Sequence, residues 1–148
     1  MRVSKFVSSV LLGALAGLLL LGCGTAPVTI GDVPVYPGAE PMAGGQSPMA
    51  DGLADIIRAS AGGEGVVVEV NLYSLSADVS WDDIKTYYNR ELADTDWTPQ
   101  DALNLENAVI STIGWGRGRG ANEQALVVGH VVDVEGGGAF MIVGLFSE

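Results

Sequence analysis

Apolar and polar residues alternate most clearly along the second half of the chain. Val66, Val68, Val70 and Leu72 share one face of a strand predicted over Val66–Leu75, with Val67, Glu69, Asn71 and Tyr73 on the other. The period then lengthens. Trp81, Ile84, Tyr88 and Leu92 recur at helical spacing, while Asp82, Asp83, Thr86, Asn89 and Arg90 lie off that face, so a helix is predicted over 81–93. Ser80 to Asp83 resembles a capping box, with carboxylates in the first turn where the helix dipole favours them. Trp97 packs just after this helix. Three more strands are predicted over Ala108–Trp115, Ala125–Val134 and Ala139–Phe146, joined by glycine-bearing connections at Gly116–Glu123 and Glu135–Gly138. The stretch Trp97–Asn107 has room for another short strand.

Signals ahead of Val66 are weaker. Asp32 to Ala39 is expected to form a short edge strand and a turn, because Pro34 cannot donate to a ladder and Pro37-Gly38 suits the centre of a type II turn. Glu40 to Gln46 is expected to be loop. Ser47 as N-cap and Pro48 at the first helical position open a short extra helix over 48–60, with Leu53, Ile56 and Ile57 as its apolar stripe and Gly62-Gly63 as its stop. The expected fold class is α+β: an antiparallel sheet of about four strands, the main helix packed on one face, and this extra helix.

Residues 1–22 follow a different pattern. Arg2 and Lys5 sit in a short polar start, and Val10 to Leu21 is an unbroken run of 12 apolar or glycine residues. As a helix that run reaches about 18 Å, short of the roughly 30 Å hydrocarbon core, so it suits a signal peptide better than a permanent span. It ends in Leu20-Leu21-Gly22-Cys23, which resembles the bacterial lipobox: an aliphatic residue, a small residue, then cysteine. The resemblance implies diacylglyceryl transfer to the Cys23 sulfur and cleavage between Gly22 and Cys23, with the freed amino group acylated, by palmitate for example, in many bacteria. It implies a signal peptide over 1–22, a lipidated cysteine and short tether over 23–31, and one α+β domain over 32–148. The expected location is the extracytoplasmic side of a cell membrane or outer membrane. Gly24 rather than Asp after the cysteine favours the outer membrane in a cell that has two. No Arg-Arg pair precedes the apolar run, which favours general secretion over the twin-arginine route.

A second resemblance covers most of the remaining chain. Tyr36-Pro37-Gly38-Ala39, then Tyr87-Tyr88, Leu92 and Trp97, are similar to the pattern of a small exported domain common among uncharacterised bacterial lipoproteins. The chain departs from that pattern in having Asp96 where glycine precedes the tryptophan, and in its Met42–Gly62 insert. The resemblance implies a fold and no activity.

Charge narrows the choice of partners. The chain has 7 Lys+Arg against 18 Asp+Glu, a net −11. Without Arg2 and Lys5 it has 5 against 18, a net −13. Binding to nucleic acid requires lysine and arginine to replace phosphate counterions, so no nucleic-acid partner is expected. The scarcity of lysine after the leader, Lys85 alone, reflects either a GC-rich coding bias or adaptation to salt, with the first favoured. One cysteine allows no internal disulfide.

Candidate chemistry is sparse. His130, the single histidine, falls on the apolar face with Leu126, Val128, Val132 and Val134, and is expected to be a hydrogen-bonded core or interface residue. No further His or Cys accompanies it, and no metal is expected. Gly114 to Gly120 mimics a phosphate loop, but another strand follows it where a nucleotide loop would open a helix, so it is read as a hairpin and no cofactor is expected. Arg117 and Arg119 there are candidate contacts for a carboxylate or phosphate on a partner. Asp94, Asp96 and Asp101 lack the spacing of a calcium loop and read as solvated surface. The favoured function is a non-catalytic, membrane-anchored binding or accessory module of the cell envelope with an envelope protein as partner. The alternatives are a small extracytoplasmic hydrolase built from scattered carboxylates and His130, and an inhibitor or immunity-type protein.

Overall fold

The structure, a computed structural model, describes residues 26–61, 63 and 65–148. The leader, Gly22 and Cys23 lie outside the described residues. Seven strands form one sheet: β1 (Glu40–Pro41), β2 (Val67–Ser74), β3 (Thr98–Pro99), β4 (Leu105–Glu106), β5 (Ile110–Arg117), β6 (Gln124–Asp133) and β7 (Gly138–Ser147). The helices are α1 (Pro48–Ala61) and α2 (Trp81–Leu92). The strand order is β1-β2-β7-β6-β5-β3, β4 also pairs with β5, and every pairing is antiparallel. The fold is thus α+β as expected, with seven strands in place of about four. The four long strands are those visible in the periodicity, and the other three are two-residue pieces along the edges.

Those pieces are too short to carry a period, and two of them contain proline. β1 lies where loop was expected. The extended edge expected over Asp32–Ala39 is instead a 3-10 turn at Ile30–Asp32 followed by unpaired chain to Tyr36. The Asp32 carboxylate accepts the Thr29 N–H and the Thr29 hydroxyl, both at 2.8 Å, and this local bonding competes with a ladder. Those bonds hold the Asp32 carboxyl below its usual range. The Pro37-Gly38 turn forms as expected: Ala39 N–H donates to Tyr36 C=O at 3.0 Å, and Gly38 takes φ +83°.

Two apolar layers sandwich the sheet. On one face Ile84, Tyr88 and Leu92 of α2 pack on Tyr73, Ile113, Trp115, Leu126, Val128, Met141 and Val143. Tyr88 and Trp115 are essentially inaccessible. Each such ring buries on the order of 150–250 Å², a gross gain of roughly 4–6 kcal/mol. An aromatic column continues outward. Tyr88 meets Tyr87 edge-on at 5.1 Å, and Tyr87 meets Tyr36 edge-on at 5.4 Å. The Tyr87 hydroxyl donates to Val35 C=O at 2.9 Å. The turn at Tyr36–Ala39 and the Tyr87-Tyr88 pair therefore meet in space. At the helix start, Ser80 Oγ accepts from Asp83 N–H at 3.2 Å and the Asp83 carboxylate accepts from Ser80 N–H at 3.0 Å, which completes the expected capping box.

The opposite face is covered by α1. Ala50 and the partly buried Leu53 and Ile57 pack on Val70, Leu72, Val131, Phe140 and Ile142. Ala50 and Ala54 are fully buried, whereas Ile56 is 62% exposed, so the stripe turns toward the alanines rather than through Ile56 as expected. Small side chains there let the helix approach the broad Phe140 surface. Ser47 caps α1, its Oγ accepting the Ala50 N–H at 3.2 Å.

The chain between α2 and β5 folds along the β5 edge, where Leu103 lies directly over Gly114. A Cβ on Gly114 would stand 2.5 Å from Leu103 Cβ. Gly114→Ala should therefore destabilise the domain by about 1–3 kcal/mol in urea denaturation. Gly138→Ala, with open space around the added carbon, should leave the midpoint unmoved.

Candidate functional site

The candidate residues fall at opposite ends of the sheet. The Arg117 end is formed by the close of β5, the start of β6 and the chain that follows α2. The β5–β6 connection turns sharply through Gly118 (φ +74°) and Gly120 (φ +58°), and a Cβ on Gly118 would stand 2.0 Å from Asn122 C=O. The glycine-rich run is thus a hairpin connection between antiparallel strands, as expected, and no helix longer than a 3-10 turn follows it.

Arg117 points inward. Its side chain is 6% exposed, and its Nη2 and Nε donate to Asp96 Oδ2 at 2.7 and 3.1 Å. The guanidinium lies 5.3 Å from the Trp97 ring centre, and Nη2 also donates to Ala26 C=O at 3.2 Å. Arg117, expected as a partner contact, is instead buried, with its Nε and Nη2 engaged within the chain. Asp96, expected to belong to a solvated acidic group, is the counter-ion. Arg119 is exposed and forms no ion pair among the described residues.

Next to Arg117 is Gln124, 2% exposed. Its Oε1 accepts Val28 N–H at 2.9 Å, and its Nε2 donates to Val28 C=O at 2.8 Å and to Ser147 Oγ at 2.8 Å. One side-chain amide thus mimics a strand partner for Val28. Together Gln124 and Arg117 hold the chain from Ala26 to Val28 against the sheet. The short tether expected over 23–31 is therefore held to the sheet at Ala26 and Val28. The signal that could have found the clamp is the polar pair Arg117 and Gln124 at inward-pointing strand positions.

His130 stands toward the other end of β6, on the same face as Leu126 and Val128, between Ser111 on β5 and Met141 on β7. Its Nε2 is buried and has no hydrogen-bond partner. Burial lowers the pKa of the imidazole below its ordinary value near 6.5, with no carboxylate offsetting it. A hydrogen-bonded histidine was expected, but this one is half-buried and unbonded at Nε2. Beyond it the face opens, leaving Val109, Val132 and Val134 exposed.

Three clefts are described, of about 460, 330 and 280 Å³. The first lies between α1 and β2 around Arg58, which pairs with Asp55 at 3.2 Å. The second holds Trp81, Lys85 and Glu106; the Lys85 ammonium bonds Asp82 at 2.9 Å, which raises its pKa. The third lies between the Tyr36 turn and α2. His130 lines none of the three. Among the described residues no group of three His, Cys, Asp or Glu side chains is placed to hold a metal ion, and no helix is long and apolar enough to cross a membrane. No family model, curated protein or solved structure matches the sequence.

Two outcomes follow from this geometry. Asp96→Ala leaves the Arg117 charge buried without its partner and should lower stability by about 1–3 kcal/mol in urea denaturation, whereas Arg119→Ala should leave it unchanged. For His130 the sign is set by the lowered pKa: below about 6.5 the unfolded chain takes up a proton that the folded one refuses, so stability falls with acidification. Thermal unfolding should show this loss well above the acid window, from 3.8 downward, in which the lowered carboxyls of Asp32, Asp83 and Asp133 cost stability. His130→Leu should flatten the upper window alone.

Proposed function

We propose that this chain is a lipoprotein held on the extracytoplasmic side of a membrane through Cys23, and that its α+β domain is a non-catalytic binding or accessory module. Support for the anchor comes from the order of the N-terminal signals: a basic start, a 12-residue apolar run, and the lone cysteine in Leu20-Leu21-Gly22-Cys23. A diacylglyceryl group brings two acyl chains to one sulfur, and two chains are what stable anchoring requires.

The observation that carries the non-catalytic reading is how the reactive side chains are employed. Arg117 is neutralised by Asp96 and stacked near Trp97. His130 is flanked on the neighbouring strands by Ser111 and Met141, with no carboxylate to orient its ring as a general base requires. The carboxylates of Asp83 and Asp133 serve as caps, the first accepting the Ser80 N–H at the start of α2 and the second accepting the Gly136 N–H at 2.7 Å in the β6–β7 turn. Arg117, Asp83, Asp96 and Asp133 are thus each committed to a structural contact.

Cys23→Ala tests the anchor. The variant should accumulate as an uncleaved precursor without lipid, seen as a retained leader mass and no incorporation of labelled palmitate. Normal cleavage and membrane retention of that variant would overturn the lipoprotein reading. For the module, crosslinking from intact membranes should recover an envelope protein with the wild-type chain. Turnover of an ester or glycoside substrate that is abolished by His130→Ala would overturn the non-catalytic reading.

A further inference from the structure

The clamp on Ala26–Val28 constrains how an anchored domain can stand. Val28 is bonded through both its N–H and its C=O to Gln124, and Ala26 C=O accepts from Arg117. Both side chains are more than nine-tenths buried, so the clamp belongs to the sheet and not to a loose surface. Only Gly24 and Thr25 separate Ala26 from Cys23. Three Cα steps span about 11 Å at full extension. The anchoring sulfur is therefore confined to the neighbourhood of the Arg117 end. The other end of β6, a strand ten residues long, is about 30 Å further off at ~3.3 Å per residue.

We propose that this clamp seats the Arg117–Asn122 end of the domain on the lipid headgroups, with Arg119 toward lipid phosphate and the β6–β7 turn at Glu135–Gly137 pointing away. The inference rests on the lipoprotein reading above. Arg119 is exposed at the proximal end, and its guanidinium fork matches a phosphate. The acidic neighbours Glu123 and Glu148 at that end oppose an anionic surface, so the lipid on Cys23, rather than charge, supplies the hold. The end carrying Val109, Val132 and Val134 is left free for the aqueous side.

The test uses the full chain purified from membranes, carrying Ala121→Cys or Glu135→Cys, both exposed positions. The new thiol is labelled with a fluorophore, since a Cys23 thioether does not react. The protein is then placed in phosphatidylcholine vesicles containing a lipid with a nitroxide on its headgroup. Quenching should be severalfold stronger at position 121 than at 135. Val28→Pro removes the N–H that Gln124 holds, in a surface segment outside the sheet, and should shrink that difference. Arg119→Glu should weaken quenching at position 121. Mass spectrometry of the same sample reports the lipid on Cys23. Lipidated protein with equal quenching at the two positions overturns the seating alone. Unlipidated Cys23 overturns the lipoprotein reading and the seating with it. An undiminished difference in Val28→Pro overturns the role of the clamp.

Discussion

The structure depends on covering both faces of the central β6–β7 pair. From Phe140 to Leu145 every residue of β7 is buried, with no alternation between wet and dry positions. A strand of this kind cannot sit at the surface of a one-sided sheet. It needs a layer on each side and a strand on each edge. β6 supplies one edge along the whole of β7, β2 supplies the other from Phe140 to Ser147, and β5 closes the far side of β6. The two helices supply the layers. Removing either would expose Phe140 and Ile142 on one side, or Met141 and Val143 on the other.

The two layers are built differently, for a physical reason. The α2 layer is aromatic: Tyr88 stands over Trp115, and the column runs out through Tyr87 to Tyr36, tying the N-terminal turn to the helix. Burial pushes the Tyr88 phenol far above its ordinary pKa, so it remains neutral at all ordinary pH values. The α1 layer is thin, with Ala50 and Ala54 against the sheet, because Phe140 already fills the space from below. Ser47 joins that layer to the β6–β7 turn, donating to Asp133 at 3.0 Å while it caps α1.

Charge is handled at the rim. Arg117 and Gln124 occupy inward-facing positions at the end of the apolar layer, where a side chain is half in the core and half at the edge of the sheet. A cation there requires a counter-ion and hydrogen-bond acceptors, since an unpaired buried charge is strongly destabilising. Asp96 and Ala26 C=O meet that need, and Gln124 satisfies its amide on Val28 and Ser147. The N-terminal segment is therefore bound by groups that must be bonded for the sheet end to close.

The long elements were legible in the sequence because each carries its own period. Trp81, Ile84, Tyr88 and Leu92 specify α2 and its buried face without reference to anything else, and the Ser80–Asp83 cap and Pro37-Gly38 turn are equally local. The resemblance of Leu20-Leu21-Gly22-Cys23 to a lipobox is likewise a purely linear pattern. The rest depended on contacts distant in sequence. β1, β3 and β4 exist only because a long neighbour offers free backbone groups, so two-residue strands leave no pattern of their own. Arg117 and Arg119 look alike in the sequence, two positions apart with glycine between them. Only the side to which each points, and the arrival of Asp96, Trp97 and Ala26 from elsewhere in the chain, makes the first a buried clamp and leaves the second to solvent. His130 was placed correctly on its face by alternation. That its Nε2 would be buried without a partner depended on neighbours, Ser111 and Met141 among them, that only the strand pairing brings beside it.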